Sequence, residues 1–415
     1  MTRKILFPIM IGLLSFLFWL IVLELVSGFI IAKWGDPLDW VKPVLEVDRF
    51  LGWRQKPDFN GRFLNVPLKT NALGLRSGPL PEKRAKSRFV LVLGPSSTFG
   101  WGVGVDQTYS FQLQQLLQKK YPGYDIVVVN AGQIGYSSWQ GLEFYKKYFL
   151  GKTKFDLVVV AYGVNDVDRY RFFYSDQLPD RQEFADPKPG WQVTLENFFL
   201  RFNSVNLVTR SAYRLVDAVS CSQRRIPVRR VSDADFAANI DQLIGLASGQ
   251  GASVLLMTSS YHLPVYSPVD YKSAKSFDLN YKLGLSSFDK GNYAAAIDYF
   301  RLAAASDPKS DDVHYYLSVA YCRQGRTGQS QEAIKTARLL EGGRIAKDID
   351  RVDQVLYNLS LKDRAVLLDT RTVVAKAGVS RSFLDPVHFT VSGNQAVARG
   401  LYDKIVEEDL LKINR

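Results

Sequence analysis

Three short runs limit what this chain can fold into. They are Arg88-Phe-Val-Leu-Val-Leu93, Tyr124-Asp-Ile-Val-Val-Val-Asn130 and Phe155-Asp-Leu-Val-Val-Val-Ala161, apolar almost throughout. A strand wetted on one face alternates apolar and polar residues, whereas a strand covered on both faces does not. Between the runs, 109–121 carries Phe111, Leu113, Leu116 and Leu117 at helical spacing, and 139–150 reads as a second helix. Buried strands alternating with helices imply a parallel sheet with helices on both faces. Ala252-Ser-Val-Leu-Leu-Met-Thr258 and Arg364-Ala-Val-Leu-Leu-Asp-Thr370 supply a fourth and a fifth strand. A helix at 233–249 precedes the fourth, and a terminal helix at 391–411 follows the fifth. In such a sheet, ligands and catalytic groups collect at the carboxyl ends of the strands.

Between the fourth and fifth strands the pattern changes. Leu283, Gly284, Gly291, Tyr293, Ala296, Phe300, Ala303 and Pro308 fit the tetratricopeptide spacing: helix, turn, helix, proline. A second, degenerate copy follows, with Leu317, Ser318, Tyr321, Gly325, Ala333 and Ala337. The sequence therefore predicts a helical insertion at 271–345, capped by a helix at 345–361. The α/β domain is split by it into 88–270 and 346–415.

The N-terminal stretch 5–31 is almost wholly apolar. At ~1.5 Å per residue it is long enough to cross a bilayer core of about 30 Å. A cleaved signal peptide normally has a shorter apolar core, so 1–35 is read as an uncleaved anchor. Arg3 and Lys4 precede it, and the positive-inside rule then leaves the rest of the chain outside the cytoplasm. Residues 36–87, rich in Pro, Gly, Arg and Lys, read as an ordered but irregular lead-in. The aromatic, irregular 167–228 reads as a long insertion at the strand-end side, where lids and binding loops lie.

Lys and Arg outnumber Asp and Glu by 53 to 41. That balance favours acidic partners such as anionic glycans or phospholipid headgroups. No zinc-finger spacing or Walker-type loop supports nucleic acid. Cys221 and Cys322 fit no metal spacing and read either as a pair or as two buried thiols. The three histidines are His262, His314 and His388.

Four pieces stand at or beyond strand ends: Ser96 in Gly94-Pro-Ser-Ser-Thr-Phe-Gly100, Gly132 in Asn130-Ala-Gly132, Asn165 in Gly163-Val-Asn-Asp166, and Asp385-Pro-Val-His388. Together they resemble the SGNH (GDSL-like) hydrolases, a family of serine esterases and acyltransferases. The resemblance covers about 88–170, 228–260 and 364–411. Leu51-Gly-Trp-Arg54 and Asn71-Ala-Leu-Gly-Leu-Arg76 look like the lead-in of membrane-anchored bacterial members. The implied fold is a flavodoxin-like three-layer α/β/α domain with a five-stranded parallel sheet. A serine hydroxyl needs a neighbouring base, and His388, after the terminal strand, suits that role. Asp385 would fix its tautomer. The resemblance makes Ser96, Gly132 and Asn165 the oxyanion donors, with Gly132 leaving room for the substrate. Neither a metal nor a cofactor is expected.

Other readings of these residues stand beside these. Asp385-Pro386 also suits a helix start. His262 is a rival base and Ser97 a rival nucleophile. Asp166 reads as a loop brace, and His314 as a surface residue of the repeats. The family usually has Asp before its nucleophile, where this chain has Pro95. That removes a local brace while leaving the Ser96 N–H in place.

The expected function is that of a single-pass inner-membrane protein with an extracytoplasmic (periplasmic) catalytic domain. It would be a serine esterase or O-acyltransferase acting on acyl, chiefly acetyl, esters of an envelope or exported polysaccharide. The repeats would hold a protein partner. The alternative is a catalytically silent assembly factor that recruits envelope or secretion proteins through its repeats.

Overall fold

The computed structural model describes residues 2–34, 41–169, 178–219, 226–262, 274–362 and 364–413. The chain begins with α1 (Thr2–Trp34), whose stretch Phe7–Lys33 is long and apolar enough to cross a membrane. Two antiparallel hairpins follow: β1 (Leu45–Asp48) with β2 (Gly52–Gln55), and β3 (Asn60–Phe63) with β4 (Val66–Lys69). The main sheet holds β5 (Ser87–Gly94), β6 (Asp125–Gly132), β7 (Leu157–Val160), β8 (Ser253–Met257) and β9 (Val366–Leu368). Its order is β6-β5-β7-β8-β9, and every neighbouring pair is parallel. This is the flavodoxin-like arrangement, in which the winding direction reverses beside the first strand and opens a crevice at the carboxyl ends. Here that strand is β5.

Helix α2 (Tyr109–Lys120) follows β5 and α3 (Ser138–Tyr148) follows β6. Between β7 and β8 lie α4 (Gly190–Phe199), α5 (Asn203–Val219) and α6 (Asp233–Gly249). Between β8 and β9 lie α7 (Ala274–Asp289), α8 (Tyr293–Ser306), α9 (Asp311–Arg323) and α10 (Thr327–Ser360). After β9 come α11 (Thr370–Ala377) and α12 (Val391–Glu407). Side chains that alternate along β5 serve the two faces of the sheet. Phe89, Leu91 and Leu93 pack with Phe144 of α3 and Ile240 of α6, while Val90 and Val92 pack with Leu113 of α2 and Leu401 of α12. Both faces are covered, which is why the strands carry no polar alternation.

The lead-in differs from the irregular segment that the sequence predicts: it forms the two hairpins. Leu64 and Asn65 join β3 to β4 with φ of 48° and 62°, the left-handed geometry of a two-residue hairpin turn. Leucine at the first of these positions hides the usual Asn-Gly signal. The first hairpin is fixed by distant contacts rather than by local pattern. Trp53 is fully buried, its Nε1–H donates to the Ile134 carbonyl at 2.8 Å, and the Tyr136 hydroxyl donates to the Trp53 carbonyl at 2.6 Å.

Helices α7 to α10 pair as antiparallel repeats around Ala296, Phe300, Val313, Leu317 and Ala333. The sequence predicts a break near 345 and a separate cap, but α10 runs unbroken from Thr327 to Ser360. Gly342 and Gly343 cost about 1 kcal/mol each relative to alanine. Packing outweighs that cost, because Ile349, Val352, Leu356 and Leu359 are buried in the α/β core. Arg344 adds salt bridges to Asp311 and Asp348 and donates to the Val167 carbonyl at 2.9 Å. The repeats are therefore bolted to the domain rather than hung from it. Cys322 in α9 is buried and carries no free thiol, while Cys221 lies outside the described residues.

Candidate active site

Ser96 opens the helical turn Ser96–Phe99, just past the carboxyl end of β5. Its Oγ lies 2.7 Å from Nε2 of His388, whose Nδ1 lies 2.7 Å from Oδ2 of Asp385. Residues 292 apart in sequence thus form one hydrogen-bonded chain. The other Asp385 oxygen, Oδ1, accepts the backbone N–H groups of Val387 and His388 at 3.0 and 2.9 Å. Burial works to raise the Asp385 pKa, but the His388 ring and these two N–H groups outweigh it and hold the carboxyl below its ordinary value. Asp385 starts no helix; α12 begins at Val391, capped by Thr390. The 385–388 loop is closed by a bridge between Phe383 and Phe389 and by the His262 N–H donating to the Pro386 carbonyl at 2.7 Å. His262 therefore braces the loop by its backbone, with its ring stacked near Phe383. His314, in α9, is half-buried, and burial lowers its pKa.

The three expected oxyanion donors are not equivalent. Among the described residues the Ser96 N–H has no acceptor. Asn165 stands in the turn Val164–Val167 after β7, and its Nδ2 donates one hydrogen to the Tyr136 carbonyl at 3.0 Å, leaving the other unused. The Gly132 N–H already donates to Asn130 Oδ1 at 3.1 Å. Glycine at 132 also has a structural reason. A Cβ there would lie 2.2 Å from the Phe99 backbone nitrogen, so the glycine lets β6 abut the turn Ser96–Phe99. Gly163, with φ at 147°, occupies a backbone region open mainly to glycine.

Four residues not singled out as site residues by sequence hold this arrangement. The indole of Trp101 stacks on the His388 ring, with centroids 4.6 Å apart and planes 9° from parallel. Phe63 of the second hairpin meets Trp101 edge-on at 4.9 Å. Arg76, 4% exposed, donates to the carbonyls of Phe99, Gly100 and Val103 at 3.2, 2.6 and 2.5 Å. Burial pushes its pKa down to about 10, against an attraction from Asp106. Asn130 bridges the Thr98 carbonyl and the Gly132 N–H. With the Tyr109 hydroxyl donating to Thr98 Oγ1 at 2.7 Å, these contacts brace the turn where Pro95 supplies no side-chain brace. The advance signals were the Asn71-Ala-Leu-Gly-Leu-Arg76 and Asn130-Ala-Gly132 blocks, which assigned Arg76 and Asn130 no role. Asp166 is fully buried and accepts the Ser138 N–H at 2.8 Å. Burial raises its pKa to about 6, and its carbonyl accepts from Val231, so it braces two segments.

Residues 287–346 match the tetratricopeptide repeat family. No curated protein matches the chain significantly. Among solved structures, a lipase/acylhydrolase from Enterococcus faecalis is 14% identical, with a TM-score of 0.37 over 77% of this chain and 96% of its own. An acetylxylan esterase from Geobacillus stearothermophilus is 15% identical, with a TM-score of 0.36 over 77% of this chain and 94% of its own. Another acetyl xylan esterase gives 15% identity and a TM-score of 0.37 over 76% and 99%.

Proposed function

We propose that the protein is a serine esterase or O-acyltransferase of the SGNH type. The observation that carries this reading is the hydrogen-bonded chain Ser96–His388–Asp385. A hydrogen on His388 Nδ1, directed at Asp385, leaves Nε2 as the acceptor facing Ser96. Nε2 takes the Ser96 proton as Oγ attacks the ester carbonyl carbon. The tetrahedral oxyanion meets the Ser96 N–H and the unused Asn165 hydrogen, with the Gly132 N–H available only by sharing its bond to Asn130. The imidazolium, steadied by Asp385, returns the proton to the leaving alkoxide. Water then takes the acyl group in hydrolysis, and a second hydroxyl takes it in transfer.

The substrate we favour is an acyl, chiefly acetyl, ester on an envelope or exported polysaccharide. The domain is read as facing the extracytoplasmic side of the inner membrane, held by α1. Arg3 and Lys4 at its start and the lack of a free thiol at Cys322 support that side. The repeats are read as a docking face for a protein partner. The silent-scaffold reading is weakened by the joined serine and histidine, which a scaffold does not need. Incubation with a fluorophosphonate probe, followed by mapping of the labelled residue, tests the proposal. Labelling at Ser96 that His388→Ala abolishes is expected; no labelling of a folded protein would refute it.

A further inference from the structure

We propose that α4 and the chain leading from it into α5 form a second membrane contact, lying in the outer interface of the bilayer that α1 crosses. This rests on reading α1 as a span.

Helix α4 has one side held by protein. Asn197 exchanges two hydrogen bonds with the Val47 backbone, at 2.8 and 3.0 Å, and Glu196 pairs with Lys188 at 2.8 Å. On its other side Trp191, Leu195 and Phe198 recur every three or four residues as one helical stripe, and Phe202, just past the helix end, extends it. They are 71, 48, 50 and 38% exposed, and Phe199 beside them is 44% exposed. The rings of Phe198 and Phe202 already cluster, with centroids 5.4 Å apart. An apolar stripe of this size, held rigidly outward, marks a contact surface.

Continuity with α1 identifies the occupant as lipid. Phe202 is followed directly by Asn203 and Ser204, whose backbone N–H groups donate to the Glu24 carboxylate of α1 at 2.5 and 3.0 Å. The Ser204 hydroxyl adds a third bond at 2.8 Å. The Asn203 side-chain amide sits over Gly28, 3.1 Å from where a Cβ would stand. From Phe7 to Glu24 the helix rises about 26 Å, close to the ~30 Å bilayer core. Glu24 thus stands at the outer boundary, and the stripe ends at the same level. Tryptophan and other amphipathic rings favour that level, and exposed Arg201 is placed to meet headgroup phosphate. Helices with one polar and one aromatic side lie in the interface plane. A single tether would let the domain swing; this second contact fixes the height and tilt of the rim that carries Ser96.

The full-length protein is reconstituted in phosphatidylcholine vesicles with plain or chain-brominated lipid, and its tryptophan emission is compared with that of Trp191→Phe. The difference isolates Trp191 and uses a conservative surface change. Expected are carbonate-resistant protein and a blue-shifted Trp191 component that brominated lipid largely removes. A Trp191 component quenched by aqueous iodide but not by brominated lipid, in carbonate-resistant protein, overturns the contact and leaves the span intact. Extraction by carbonate overturns the span; bromine quenching would then still support a lipid surface, and its absence would remove that too. A Trp191 component shielded from both quenchers, in carbonate-resistant protein, would assign the stripe to a protein contact and overturn the proposal.

Discussion

Replacing Arg76 with methionine tests whether the lead-in holds the turn that carries Ser96. Methionine fills much of the same space and removes three donors from the carbonyls of Phe99, Gly100 and Val103. No carboxylate lies within salt-bridge distance of the guanidinium among the described residues. The guanidinium's hydrogen bonds therefore all go to the backbone that turns away from Ser96. The Gly100 carbonyl keeps the Val103 N–H at 3.4 Å; orphaning a buried acceptor costs about 1–3 kcal/mol, so the other two would lose roughly 2–6 kcal/mol before relaxation. Relief from burying a cation offsets several kcal/mol of that. The expected net loss is about 1–3 kcal/mol of stability, read as a lower urea midpoint with an unchanged slope. The catalytic loss is separate. The 2.7 Å contact between Ser96 and His388 depends on the turn, and a slip of about 1 Å costs on the order of 10²-fold. On a small acetyl ester, kcat should fall by about that factor with KM little changed, and fluorophosphonate labelling should slow in parallel. Arg76→Lys, a point charge that cannot span three carbonyls, should fall between. A folded Arg76→Met protein with kcat within about twofold of the parent would refute the clamp as a catalytic brace.

Ser96→Ala and His388→Ala should each lower small-ester turnover by about 10³-fold or more, with the double variant little worse, because the residues act as one unit; additive losses in steady-state kinetics would sink that unit. Trp101→Ala should lower kcat by roughly tenfold through a freer His388 ring and displace the pH–rate profile, whereas a change in KM alone would make Trp101 a substrate contact. Asp166 has a folded-state pKa raised to about 6 from 3.8 by burial; its stabilising contribution is complete below pH 3.8 and lost as pH rises through about 6, so Asp166→Asn should flatten the urea midpoint across that window, and an unchanged slope would reject the assignment. Asn280→Arg and Lys282→Glu on α7 should impair partner recovery from membranes yet leave small-ester turnover within about threefold; a collapse of turnover in folded protein would place the repeats in the active site.

The parallel sheet was legible because its strands are buried on both faces and carry runs no amphipathic helix would carry. The repeats were legible because the Gly284 position must be small: a Cβ there would lie 2.5 Å from the Phe300 ring. The hairpins were not legible, since short strands held by Trp53, Phe63 and Leu68 against distant partners leave no local period. The unbroken α10 was hidden by Gly342 and Gly343, whose local cost is outweighed by contacts that Ile349 and Arg344 make across the domain. Local propensity names what a segment prefers alone, and these segments are set by what they touch.

The same division runs through the site. Ser96, Asp385 and His388 stood out because their chemistry restricts residue type, and the fold brings them within hydrogen-bond reach. The residues that aim them did not, because any group of the right shape would serve. Pro95 makes the point. Read locally, it is a lost brace; in the fold, the turn is held from outside by Arg76, Asn130 and Tyr109. Gly132 was named as an oxyanion donor that leaves room for substrate, and the fold gives its bare Cα a second use. Its missing side chain admits the Phe99 backbone, and its N–H is held by Asn130. A substitution at 132 would therefore act first by displacing the turn that carries Ser96.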